Sequence, residues 1–144
     1  MYLLDNDIFS LYLTHESPQP ILERKTLLTD DSLIWISVVS AEESIRGALA
    51  LVKKHQTTAR VTESYRFLGK ILIAISHYQI LTFDSAAYAA FQSIPLPVRR
   101  AIGTRDSRIA ASAISRDFTV ITRNLRDFEK VPGLACEDWT ANTI

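Results

Sequence analysis

The chain has 144 residues, 47% of them hydrophobic, with 16 Lys and Arg balanced by 16 Asp and Glu, four glycines, five prolines and one cysteine. The lone Cys136 excludes an intramolecular disulfide and a structural zinc site, leaving a small thiol expected to be buried in a protein of a reducing compartment. Zero net charge argues against gripping nucleic acid by a bulk electrostatic field, so any such grip has to be local.

At this length a core forms without staples, and no repeat, linker or low-complexity tract divides the sequence, so one domain is expected over 1–144. The opening Met1-Tyr2-Leu3-Leu4-Asp5 places an acid where an export signal carries positive charge. The longest apolar runs, 71–75 and 86–91, fall far short of the ~20 residues needed to cross a bilayer. A soluble, cytoplasmic protein without membrane contact is the expectation.

Tyr2–Leu4 reads as a short buried strand that ends at Asp5. Pro18 and Pro20 suit the opening of a helix that carries Ile21, Leu22, Leu27 and Leu28. Leu33, Ile34, Ile36, Val38 and Val39, around Trp35 and Ser37, form a second strand pattern. The following Ser40-Ala41-Glu42-Glu43 has the form of a capping box, with Ser40 as N-cap and Glu43 reaching back. Val61, Tyr65, Leu68, Leu72 and Ile75 recur at helical spacing and define one apolar face. Ile80–Phe83 is a third strand, with Asp84 at the N-cap position of the next helix. Ile109, Ala110, Ala113 and Ile114 make a helical face between Asp106 and Asp117, and Phe118–Ile121 is the fourth strand. Strands alternating with helices give βαβ units, hence an α/β fold with a mostly parallel sheet.

In such sheets ligands bind beyond the carboxyl ends of the strands. The residues found there are acidic: Asp5 after strand one, Glu42 and Glu43 after strand two, Asp84 after strand three, Asn124 and Asp127 after strand four, with Asp106 opening the helix before it. Taken singly most have a structural use. Ser40 and Glu43 suit capping, Asp84 suits a cap, Asp106 complements a helix dipole, and Asp127 suits an ion pair. Asp5 is harder to explain that way, because a charge that ends a three-residue buried strand has few structural roles. Gathered at one edge, these carboxylates repel one another unless a cation sits among them. Mg²⁺ and Mn²⁺ take oxygen ligands, and one or two such ions activate water and stabilise the leaving oxygen in phosphodiester cleavage.

Other catalytic signatures are absent: there is no G-x-S-x-G, G-x-G-x-x-G, Walker loop or H-E-x-x-H, and His15, His55 and His77 are scattered. Arginines concentrate late in the chain, at 99, 100, 105, 108, 116, 123 and 126, where they could hold a phosphate-bearing ligand. Lys53, Lys54 and Arg60 form a second basic group that dipole complementarity explains equally well.

Four segments together resemble the PIN-domain ribonucleases, most closely the VapC toxins of bacterial type II toxin–antitoxin pairs. They are Tyr2-Leu3-Leu4-Asp5-Asn6-Asp7-Ile8; Ile36-Ser37-Val38-Val39-Ser40-Ala41-Glu42-Glu43 with Gly47; Asp106-Ser107-Arg108-Ile109-Ala110-Ala111; and Ile121-Thr122-Arg123-Asn124-Leu125-Arg126-Asp127-Phe128. Val131-Pro132-Gly133-Leu134 and Glu137-Asp138-Trp139 extend the likeness to the end. The resemblance implies a three-layer α/β/α sandwich around a mostly parallel sheet of four to five strands. It also implies a metal-dependent endoribonuclease with Asp5, Glu43, Asp106 and Asp127 as catalytic residues and ligands of Mg²⁺ or Mn²⁺. Glu43 is favoured over Glu42 because it stands four residues before Gly47 and eighth in the segment opening at Ile36, as the family's glutamate does. Asn6, Ser40, Thr122 and Asn124 fall beside the acids as supporting positions, and Arg99, Arg100, Arg105 and Arg123 as contacts to an RNA substrate. A cognate VapB-like antitoxin and a homodimer are the implied partners.

Two positions depart from the family's pattern: Asp7 replaces the usual Asn, and Asn6 the frequent Thr. Asp7 is read as the cap of helix one. Asn124 competes with Asp127 for the fourth site position. The same opening also fits the Asp-x-Asp of haloacid dehalogenase-like phosphatases with Asp5 as nucleophile, although Lys130 is the only lysine beyond residue 70 to serve such a site. A PIN-like module that binds RNA or protein without cutting is the third alternative.

Overall fold

A computed structural model describes residues 1–13 and 29–141 of the protein. In chain order the elements are β1 (Tyr2–Leu4), α1 (Asn6–Leu13), a 3₁₀ turn (Asp31–Leu33), β2 (Ile34–Ser37), α2 (Val38–Lys54), α3 (Val61–Ser76), β3 (Gln79–Leu81), α4 (Ser85–Ser93), α5 (Leu96–Ile102), α6 (Thr104–Arg116), β4 (Thr119–Ile121), α7 (Leu125–Phe128) and β5 (Cys136–Glu137). The strands form one five-stranded sheet in the order β3-β2-β1-β4-β5, and every adjacent pair is parallel. The helix expected from Pro18 lies outside the described residues.

Successive side chains of a strand point to opposite faces, and β1 shows what that does here. Leu4 joins a core with Ile8, Phe9, Ile36, Ile71 and Ile121. Leu3 joins a second core with Leu81, Ile109, Phe118, Val120 and Phe128. The central strand is therefore apolar throughout and covered on both sides, which is the three-layer α/β/α sandwich. The central strands β1, β2 and β4 pack on both faces, whereas the edge strands β3 and β5 leave Gln79, Ile80 and Glu137 exposed.

Several local readings change. β2 ends at Ser37, whose Oγ accepts from the Val39 N–H at 3.1 Å and so caps α2. Ser40 then falls inside the first turn, buried, and the expected capping box does not form. The β-branched Val38 and Val39 enter the helix because their propensity cost is only tenths of a kcal/mol, whereas an N-cap contributes about 1 kcal/mol. On α3 the buried face runs through Ser64, Ile71 and Ile75 with Phe67, Leu68 and Ala74 packed beside it. Tyr65 and Leu72, assigned to that face by spacing, are 59% and 49% exposed. The segment from Phe67 to Ile75 is apolar almost all round, so periodicity alone does not fix which side is buried.

Asp84 caps α4 as expected, accepting from the Ala87 N–H at 2.9 Å. Its second oxygen accepts from Arg116 at 2.8 Å, which ties α4 to the end of α6. α5, α7 and the two-residue β5 are too short to stand out in the sequence. Gly103, at φ +90°, ends α5 and opens α6, a backbone turn that side chains disfavour. That turn brings Arg105 and Asp106 to the carboxyl edge of the sheet.

Candidate active site

The site is built where β1 meets α1. The Asp5 backbone N–H continues the sheet to the Ile121 carbonyl at 3.0 Å, so the carboxylate is fixed at the centre of the carboxyl edge. Asp5 is only 4% exposed. Its Oδ1 accepts from the Ile8 N–H at 2.9 Å, which makes Asp5, and not Asp7, the cap of α1. Its Oδ2 accepts from Thr122 Oγ1 at 2.6 Å, and that hydroxyl in turn accepts from the Asn124 N–H at 2.9 Å. Burial raises the Asp5 pKa to about 6 against the lowering effect of the Thr122 and Ile8 hydrogen bonds, and the charges of Asp7 and Asp106 add to the rise.

Asp106 stands in the first turn of α6 and is partly buried. Burial again lifts its pKa above the ordinary value, with Asp7 and Asp127 contributing repulsion and Arg105 opposing the rise. Asp7 and Asp106 thus repel the charge of Asp5, and Asp7 and Asp127 that of Asp106.

Glu43 and Glu42 separate cleanly. Glu42 is exposed and pairs with Arg46 one turn along α2. Glu43 faces the acids. Its Oε1 accepts from Arg105 Nη1, while its Oε2 is buried with no hydrogen-bond partner among the described residues. A buried, unpartnered carboxylate oxygen is costly unless something positive meets it. The buried Ser40 Oγ one turn earlier is also without a partner.

Asp127 lies at the rim. Its oxygens accept from Asn124 Nδ2 at 2.9 Å and Lys130 Nζ at 3.1 Å, and the Asn124 bond, then the Lys130 bond and charge, hold its pKa below the ordinary value. Asn124 thus holds Asp127 in place. Asn6 accepts from Ser44 Oγ at 3.3 Å and ties α1 to α2 beside Glu43.

Arg105 spans Glu43 and Asp106, with its Nε 3.3 Å from Asp106 Oδ1. Among the described residues no group of three His, Cys, Asp or Glu side chains forms a ready cation cage, and the Arg105 guanidinium lies between two of the acids. The donor set still suits Mg²⁺ or Mn²⁺, being all carboxylate oxygen, with one oxygen unpartnered among the described residues and one acid whose charged form burial disfavours, its pKa raised to about 6. Of the other arginines, Arg99 is turned inward, donating to the Ile94 carbonyl at 3.0 Å with its guanidinium 4.9 Å over the Phe91 ring. Arg100 and Arg123 are exposed. Sequence reasoning missed the Arg105 bridge, the Lys130 contact and the Ser44–Asn6 tie. Only the last two have a local signal, an acid three residues before a lysine and a serine beside the chosen glutamate.

The PIN domain family model matches residues 2–134. The chain is 31% identical over 141 residues to the tRNA(fMet)-specific endonuclease VapC of Salmonella typhimurium, covering 96% of this chain and 97% of that one. It is 25% identical over 142 residues to ribonuclease VapC2 of Rickettsia felis, covering 96% and 98%. Among solved structures, DNA-bound VapBC from Salmonella typhimurium matches with a TM-score of 0.72 and 26% identity over 96% of this chain and 97% of that one. FitAcB from Neisseria gonorrhoeae shares the fold at a TM-score of 0.75 and 19% identity, over 96% and 98%. A match of this length, to relatives of the same size, means that the chain belongs to the PIN-domain family, as a VapC-type ribonuclease.

Proposed function

We propose that this protein is the toxin of a type II toxin–antitoxin pair and acts as a Mg²⁺- or Mn²⁺-dependent endoribonuclease. The observation that carries the metal dependence is the buried, partnerless Oε2 of Glu43, set at the same edge as Asp5 and Asp106. Asp5, Glu43 and Asp106 would hold the ion, whose chemistry there would be to lower the pKa of a water and stabilise the leaving oxygen. Thr122 and the Ile8 N–H fix the Asp5 carboxylate, so that it does not reorient during the reaction. Asp127, kept ionised by Asn124 and Lys130, completes the site from the rim and orients the attacking water. Attack on phosphorus breaks the bond to the 3′ oxygen, leaving a 5′-phosphate and a 3′-hydroxyl.

The VapBC structures it resembles support a VapB-like antitoxin as partner; in this reading the antitoxin covers the acidic edge and blocks it with a basic side chain. Homodimers fit the same reading, as does action in the cytoplasm, and among the described residues no helix is long and apolar enough to cross a membrane. The Salmonella relative makes initiator tRNA the first RNA to try. The family match leaves the phosphatase alternative without support.

The test is cleavage of total RNA and initiator tRNA by purified protein with Mg²⁺, Mn²⁺ or EDTA, beside Asp5→Asn and Asp106→Asn. Cutting that requires both the ion and both aspartates is expected. RNA bound but uncut in every condition would replace the enzyme with a binding module.

A further inference from the structure

Next to the acids lies a pocket of about 430 Å³, lined by Val38, Val39, Phe83, Tyr88, Phe91 and Arg108, with the Glu42–Arg46 pair along one wall. Its volume falls in the roughly 300–1,000 Å³ range of small-ligand sites. The aromatic wall is organised by α4. The Asp84 cap starts this helix, and Tyr88 and Phe91, one turn apart, stack with ring centroids 6.4 Å apart at 17°. Phe83 meets Phe91 edge-on at 6.5 Å. Phe91 carries the Arg99 guanidinium, whereas Tyr88 remains 52% exposed, a large flat ring surface open at the pocket.

The charges of this pocket are unequal. Arg46 is neutralised by Glu42, but the Arg108 side chain has no ion pair or hydrogen bond among the described residues. A second cleft of about 290 Å³ shares Val39, Glu42, Arg46 and Arg108 with the first and adds Glu43, Thr104 and Arg105. The two clefts adjoin along these shared residues, with Glu43 and Arg105 on one side and the aromatic seat on the other.

Resting on the ribonuclease reading, we propose that the aromatic pocket is a subsite for one unpaired nucleotide of the RNA substrate, its base stacked on Tyr88 and its phosphate held by Arg108. A base in a duplex presents only an edge, so the seat selects a nucleotide that is already splayed out. Stacking on an aromatic ring tolerates any base, and a free arginine fork suits a phosphate. An apolar peptide would leave Arg108 unanswered, so the negative ligand is the better occupant.

The probe is a fluorescein-labelled single-stranded RNA of about 12 nucleotides, beside an abasic chain of the same length and phosphates, with binding read by anisotropy in EDTA. Wild-type protein is expected to prefer the RNA over the abasic chain by about tenfold. Tyr88→Ala erases that preference, Tyr88→Phe keeps it, and Arg108→Gln weakens both ligands alike. Equal wild-type affinity for the two chains, or a preference that survives Tyr88→Ala, overturns the proposal. So does a Tyr88→Ala protein that keeps the preference but no longer retains co-expressed antitoxin, which would give the pocket to a protein partner. Cutting by the wild type in Mn²⁺ is scored in parallel. Loss of the base preference with cutting intact removes the pocket alone, whereas no cutting of any RNA removes the ribonuclease reading.

Discussion

Asp5, directly after β1, and Asp127, in the helix that follows the neighbouring β4, are the same residue type, and the fold treats them in opposite ways. Asp5 is sealed under the sheet edge, with its carboxyl pushed up to about 6 by burial. Asp127 sits at the rim, where an amide and an ammonium hold it below the ordinary value. The rim acid is already satisfied by this chain's own residues. The buried acid is held only by neutral donors, the Ile8 N–H and the Thr122 hydroxyl, and Glu43 Oε2 has no hydrogen-bond partner among the described residues, so the centre of the edge carries less compensating positive charge than the rim. That shortfall is what a divalent ion would relieve, and the proposed metal dependence rests on this local electrostatic cost.

The largest expected effect comes from removing the buried charge. Asp5→Asn should lower RNA cleavage on the order of 10³-fold in a single-turnover assay. The same change should raise stability of the metal-free protein. Because the folded pKa lies above the unfolded one, the native state holds its proton longer, and ionised Asp5 costs stability on the order of 3 kcal/mol above pH 6. The advantage of Asp5→Asn over wild type should therefore be small near pH 4, grow as pH rises to about 6, and then level off in thermal melts run in EDTA.

At the rim the expectation is smaller and opposite in kind. Asn124→Ala removes the bond that does most to hold Asp127 ionised, so the acid limb of the pH–rate profile should move to higher pH, with activity down about tenfold. An unchanged profile would mean that Asp127 takes no part in the reaction.

Arg105 tests the link between the two regions. Since it competes with a cation for Glu43 and Asp106, Arg105→Gln should tighten Mn²⁺ binding severalfold by calorimetry. Weaker binding would contradict the competition.

The smallest contrast concerns two serines at the start of α2. Ser37→Ala loses the helix cap and should cost about 1 kcal/mol in denaturant unfolding. Ser40→Ala removes a hydroxyl with no partner and should cost almost nothing, or stabilise slightly.

What the sequence disclosed follows from the range of the interactions involved. Asp5 and the Asp84 cap were legible because an apolar run stops at an acid, and a helix starts where its first N–H groups find an oxygen. The choice between Ser37 and Ser40 was not legible, because either serine satisfies the local pattern and only the register of β2 against β1 and β3 decides. The buried side of α3 was hidden by an almost uniformly apolar surface, and the exposed Leu72 and Ile73 belong to that ambiguity. The Arg105–Glu43 pair joins residues 62 apart in sequence, and the turn at Gly103 that permits it carries no sign of its destination. Asp7 read as a cap by position, but the oxygen that meets the Ile8 N–H comes from Asp5.

The most direct test of the cation shortfall is the melting temperature of wild type and Asp5→Asn across a Mn²⁺ titration at pH 7.5. Wild type should start lower than Asp5→Asn and rise with Mn²⁺ to overtake it, while Asp5→Asn stays nearly flat. Parallel responses in the two proteins, or no response in wild type, would contradict the account of Asp5 as a buried charge awaiting a divalent ion.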